Sequence, residues 1–131
     1  MSTALQDIRG VLASVKEAFG RGATAKEIVD LLYDQDLMLI GEGFPAASSG
    51  LKECLPLFEA AFQEWGPRPK LEMRISEPIQ EADELAVTVV GVTCYPDVAG
   101  AEPVRYRMMA AWKPTSRGWR VVVETFTYGV L

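Results

Sequence analysis

The sequence predicts an α+β fold, helices first and an antiparallel sheet after, on three observations. Apolar residues ahead of "GPRP" (66–69) recur at three- and four-residue steps. Every later segment alternates in polarity or is rich in β-branched residues. No repeat, low-complexity run or linker interrupts the 131 residues, so 1–131 reads as one domain with length for a sizeable core.

Leu5, Ile8, Leu12, Val15 and Phe19 form the stripe of a first helix, with Thr3 and Gln6 as a capping box and Gly20 to Gly22 as its stop. Thr24 with Glu27 repeats the capping signature for a second, short helix. Ile28, Val29, Leu31 and Leu32 face inward there, and it ends near Tyr33. "DLMLIGEG" is a short strand broken by Gly41 and Gly43. After the loop "FPAASSG", Ser48 or Ser49 caps a third helix whose inward stripe is Leu51, Leu55, Phe58, Phe62 and Trp65. Pro56 removes a hydrogen bond inside a helix, so a late helix start is expected.

In the second half, "KLEMRIS" alternates, and "EADE" turns the chain into "LAVTVVGVTCY", apolar on both faces as in a strand covered on both sides. "YRMMAAWKPTSRGWRVVVETF" is a hairpin. With "PTSR" as a four-residue turn, Trp112 faces Trp119, Ala110 faces Val121, Met108 faces Val123, Tyr106 faces Thr125 and Val104 faces Thr127. This register puts an apolar face toward the helices. It also sets Arg107 across from Glu124, as an ion pair, on a mixed outer face with Met109, Val122, Phe126 and Tyr128. So much outward apolar surface predicts a homodimer, sheet face to sheet face about a two-fold axis.

The composition excludes several functions. A formal net charge of -5 disfavours nucleic acid, which needs a basic stripe. No apolar run reaches the ~18 residues of a membrane span, and the first twenty residues lack a secretory signal, so a cytoplasmic protein is expected. Cys54 and Cys94 read as buried reduced thiols. The chain has no histidine, which removes the usual general base, every Ser-His or Cys-His pair and imidazole ligands. Asp30, Asp34 and Asp36 could hold Mg²⁺ or Ca²⁺, but they read first as the polar exit of a helix; no metal or cofactor is expected.

The element order, with three particular segments, resembles the nuclear transport factor 2-like, or SnoaL-like, superfamily. "IVDLLYDQDLMLIGEG" is similar to its second helix running into the first strand, "SSGLKECLPLFEAAF" to the segment opening the third helix, and "MMAAWKPTSRGWRVVVETF" to the terminal hairpin. The resemblance implies three N-terminal helices, a short strand before the third, packed against a curved, mostly antiparallel sheet of four long strands forming a cone with an internal pocket. Members include steroid isomerases, cyclases, dehydratases, epoxide hydrolases and association domains. Where isomerase-like members carry a base this chain has Gly41 beside Glu42, and where they carry an oxyanion acid it has Met108. Dehydratase-like members need histidines. Epoxide-hydrolase-like members use an Arg between two Asp, of which Arg107 and Glu124 are a partial version.

The expected pocket is lined by Tyr33, Phe58, Phe62, Met73, Tyr106, Met108, Thr125 and Thr127, a concave, mainly apolar site for a small, mostly apolar molecule. Tyr106, Thr125 and Thr127 supply the polar groups there, or else bond one another inside a filled cone; Trp112 and Trp119 read as core. One alternative is an isomerase, cyclase or hydrolase with Glu42 as base and Tyr106 as hydrogen-bond donor. Another is an interaction domain without chemistry.

Overall fold

The computed structural model of the chain describes residues 3–131. Three helices, α1 (Thr3–Gly20), α2 (Ala25–Leu32) and α3 (Leu51–Trp65), pack on one face of a seven-stranded mixed sheet. The strands are β1 (Tyr33–Gly41), β2 (Ser48–Ser49), β3 (Lys70–Ile75), β4 (Gln80–Ala82), β5 (Leu85–Tyr95), β6 (Val104–Thr115) and β7 (Gly118–Tyr128). Their order is β2-β1-β7-β6-β5-β3, with β4 also beside β5. β1 runs parallel to β7; every other pair is antiparallel. The predicted α+β class holds, with two very short strands, β2 and β4, added to the expected set.

The helical periodicity translates directly into burial. Leu5, Ile8, Leu12, Val15 and Phe19 of α1 are all buried. At α2 the Thr24 hydroxyl accepts from the Glu27 N–H while the Glu27 carboxylate accepts from the Thr24 N–H, a reciprocal cap of two donors the helix leaves open. Two expectations for α3 fail. Its N-cap is Gly50, with φ 88°, and Ser48 and Ser49 instead pair with Leu39 and Met38, respectively. Pro56 sits inside the helix, which begins at Leu51 without delay. The bond Pro56 cannot make is outweighed by Leu51, Cys54 and Phe58, which bury one face against the sheet.

The larger correction concerns the last hairpin. Thr115 pairs with Gly118, so the turn holds two residues rather than four, and the Thr115 hydroxyl donates to the Gly118 carbonyl at 2.7 Å. Trp112 lies opposite Val121, and Trp119 opposite Pro114, not opposite each other. A bulge then inserts Val122, after which Ala111 faces Val123, Ala110 faces Glu124, Met109 faces Thr125 and Arg107 faces Thr127. One extra residue in a strand moves every later side chain to the opposite face. The β6 face is as expected, with Met108, Ala110 and Trp112 buried. On β7, Glu124 turns inward and Val123 outward, and Thr125 and Thr127 share the outer face with Met109 and Arg107.

The Arg107–Glu124 ion pair therefore does not exist. Arg107 donates to the Thr127 hydroxyl at 3.0 Å and to the carbonyls of Tyr128 and Val130 at 3.1 and 3.4 Å, holding the last residues to the outer face. Cys54 and Cys94 are buried free thiols, and Trp112 donates its indole N–H to the Thr88 hydroxyl at 2.9 Å in the core. The outer side chains of β5, Val87 and Val89, are half-buried rather than covered. Among the described residues no helix is long and apolar enough to cross a membrane.

Candidate functional site

Between the helices and the inner face of the sheet lies a cavity of about 80 Å³. Leu12, Val15 and Phe19 of α1 and Phe58, Phe62 and Trp65 of α3 form its helical wall; Leu71, Met73, Met108 and Phe126 form its sheet wall. The α3 aromatics continue one another, with Tyr33 stacked on Phe58 at 4.8 Å and Trp65 stacked on Tyr106 at 6.2 Å. Phe44 meets the edge of Phe126 at 5.4 Å. Gly41 makes this possible, since a Cβ there would collide with the Phe126 ring.

In this apolar enclosure the polar groups are Tyr33, Tyr106 and Glu124. The Tyr33 hydroxyl donates to Glu124 Oε1 at 2.7 Å. Glu124 is 3% exposed, with no cation against it. Burial pushes its carboxyl up to about 7, a rise the Tyr33 hydrogen bond partly opposes. Burial also raises the phenols of Tyr33 and Tyr106, and the charge of Glu124 raises both further, so each stays a donor across the ordinary pH range.

Glu124 Oε2 and the Tyr106 hydroxyl have no hydrogen-bond partner among the described residues, yet no fully buried side-chain N or O among those residues lacks one. Both atoms therefore reach free volume. One carboxylate oxygen is anchored and the other is available to a guest, with a phenol donor in the same cavity. Such an arrangement can exchange a proton with a bound molecule and stabilise negative charge on one of its oxygens.

Of the residues expected to line a pocket, Tyr33, Phe58, Phe62, Met73, Tyr106 and Met108 border this cavity. Thr125 and Thr127 do not: the bulge at Val122 turns them outward, and the Thr127 hydroxyl accepts from Arg107. Glu42 is also outside it. This exposed residue accepts the Tyr128 N–H at 3.3 Å and ties the end of β1 to the end of β7. Glu124, assigned from the sequence to the outer ion pair, holds the place Glu42 was expected to take. The available signal was the run Val121-Val122-Val123, where alternation fails just before the charge. Asp30 accepts from Lys26 Nζ at 2.9 Å and Asp34 from the Asp36 N–H at 3.2 Å. Among the described residues no three acidic or cysteine side chains converge on a metal position.

No protein-family model and no curated protein matches the sequence. Solved structures match closely in shape. A nuclear transport factor 2-like protein of unknown function from Shewanella oneidensis superposes with a TM-score of 0.75 at 17% identity, over 93% of this chain and 97% of that one. A ketosteroid isomerase-like protein from Erwinia carotovora gives 0.73 at 19% identity, over 98% of each chain. A nuclear transport factor 2-like superfamily protein from Salmonella enterica gives 0.73 at 13% identity, over 98% of this chain and 93% of that one. The chain has the cone-shaped nuclear transport factor 2-like, or cystatin-like, fold that its sequence resembles. At these identities the likeness carries the fold and no reaction.

Proposed function

We propose that the cavity binds a small, mostly apolar carbonyl compound and that Glu124 moves a proton on it, with Tyr106 as hydrogen-bond donor. The observation that supports this is a single buried carboxyl, held through one oxygen by Tyr33, in an otherwise apolar cavity. A carboxyl at about 7 is half ionised near neutral pH, where a base strong enough to abstract a proton is still available. In the reaction, Glu124 Oε2 takes a proton from the carbon beside the carbonyl. The C–H electron pair moves toward the carbonyl oxygen, where the Tyr106 O–H meets the developing charge. The carboxylic acid then trades its proton with solvent and returns one to the same carbon, an exchange, or, where a double bond extends the enolate, delivers the proton to its far (γ) carbon, an isomerisation. Tyr33 is a positioning residue that fixes the carboxyl plane. Phe58, Phe62, Met73 and Met108 supply apolar contact. This keeps the acid–base chemistry weighed from the sequence but gives Glu42's role to Glu124.

Exchange of the α-protons of 2-octanone in D₂O, followed by proton NMR, tests the reading. The rate should rise with pH through a midpoint near 7, fall about 100-fold or more in Glu124→Gln, and fall about 10- to 100-fold in Tyr106→Phe. A rate equal in wild type and Glu124→Gln sinks it.

We also infer that the outer sheet face meets a second copy of the chain. Met38 and Ile40 of β1, Val123 of β7 and Met109 of β6 lie side by side there, between 44 and 52% exposed. Sedimentation should give twice the 14.4 kDa of one chain and one chain's mass in Val123→Glu. A wild-type chain that stays single at micromolar concentration refutes the contact.

A further inference from the structure

A second depression, of about 470 Å³, opens between α1 and β3. Arg9, Lys16, Arg74 and Glu77 stand around it, and Leu12 and Met73 contribute to its apolar floor. The same two apolar residues line the cavity that holds Glu124, so they alone stand in both walls. Glu77 accepts from Arg9 at 2.6 Å, which leaves Lys16 and Arg74 with no carboxylate partner among the described residues. In a chain of net charge -5, three cations against one carboxylate make this a local positive field.

Size connects the two spaces. At about 80 Å³ the cavity has roughly half the ~150 Å³ that admits benzene, and less than the ~300 Å³ at which ligand pockets begin. A guest reaching Glu124 must keep part of itself outside, and the cleft beyond Leu12 and Met73 offers that room. Met73 is half-buried and unbranched, with three rotatable side-chain bonds, which suits a movable partition. Charge sets the direction. Glu124, partly ionised near neutral pH, repels an anionic end from the cavity, and the cations outside attract it.

We propose that this carbonyl compound is an anionic amphiphile, an apolar chain or ring that carries the carbonyl and ends in a carboxylate or phosphate. Its apolar end passes Met73 into the cavity, and its anionic head lies between Lys16 and Arg74. This rests on the cavity being the binding site, as proposed above.

The test titrates the full chain at low ionic strength with four probes of equal chain length: 2-octanone, octanoate, octyl phosphate and octylammonium. Binding is read from the change in tryptophan fluorescence, since Trp65 lies in the cavity wall and Trp112 and Trp119 do not line it. Octanoate or octyl phosphate should bind about three- to tenfold tighter than the ketone, the better of the two naming the head group, and octylammonium should bind more weakly. The anion's advantage should vanish in the double variant Lys16→Gln/Arg74→Gln and shrink as salt is added, while ketone affinity stays unchanged. Equal binding of ketone and anions, or an advantage that survives the double variant, overturns the proposal and leaves the cavity reading standing. Binding of none of the four overturns both.

Discussion

Replacing Glu124 by Gln should make the protein more stable above neutral pH. The carboxyl ionises at about 7 in the fold against an ordinary 4.5, chiefly because burial strips its water. Below pH 4.5 both folded and unfolded chains hold the proton, and the group makes no difference. Between 4.5 and 7 the unfolded chain releases it while the folded chain keeps it, so stability falls as pH rises. Above 7 the full cost of a desolvated carboxylate is present, about 3 kcal/mol for a displacement of this size. Glutamine keeps an oxygen to accept from Tyr33 and has no charge to desolvate. Urea unfolding followed by tryptophan fluorescence, repeated from pH 5 to pH 8.5, should show the wild type losing about 2 to 3 kcal/mol relative to Glu124→Gln across that interval. The melting temperature at pH 8.5 should be roughly 10 °C higher in the variant. Parallel pH profiles for the two proteins would mean that Glu124 is not a buried, near-neutral carboxyl, and the proton-transfer reading would fall with it.

Tyr33→Phe removes the one hydrogen bond that opposes the rise at Glu124, so the carboxyl midpoint seen by carbon-13 NMR should move further above 7. A midpoint that stays put or moves down contradicts the pairing. Gly41→Ala forces a methyl group into the Phe126 ring and should cost about 1 to 3 kcal/mol in denaturant melts; a neutral effect would show the ring is not held there. Thr24→Ala removes the hydroxyl that accepts from the Glu27 N–H, leaving only the backbone half of the α2 cap, and should cost about 1 kcal/mol with no effect on the Glu124 midpoint.

Much of the fold could be read along the chain because its signals are local. Thr24 with Glu27, the α1 stripe and the alternation of Met108, Ala110 and Trp112 each depend on residues within a turn or two, and each is found as expected. The absence of histidine left Asp, Glu, Lys, Tyr and Arg to carry any chemistry, and of these the cavity holds one carboxylate and two phenols. The start of α3 was less legible. Pro56 argues locally for a late helix, and the burial that overrules it comes from contact with the sheet.

What the sequence determined by itself was therefore which of the longer segments are helix or strand, and which way side chains point within an uninterrupted strand. The tertiary structure decided the register of β7 and the side on which Glu124 lies. The run of three valines marks where alternation fails but not that a residue is inserted there, so Glu124 reads as a surface charge until the bulge is seen. A carboxyl is tolerated inside because it can keep its proton near neutrality and because Tyr33, 91 residues away in sequence, supplies a hydroxyl at 2.7 Å. That partner is fixed by β1 lying parallel to β7, a pairing that exists only once the sheet has formed.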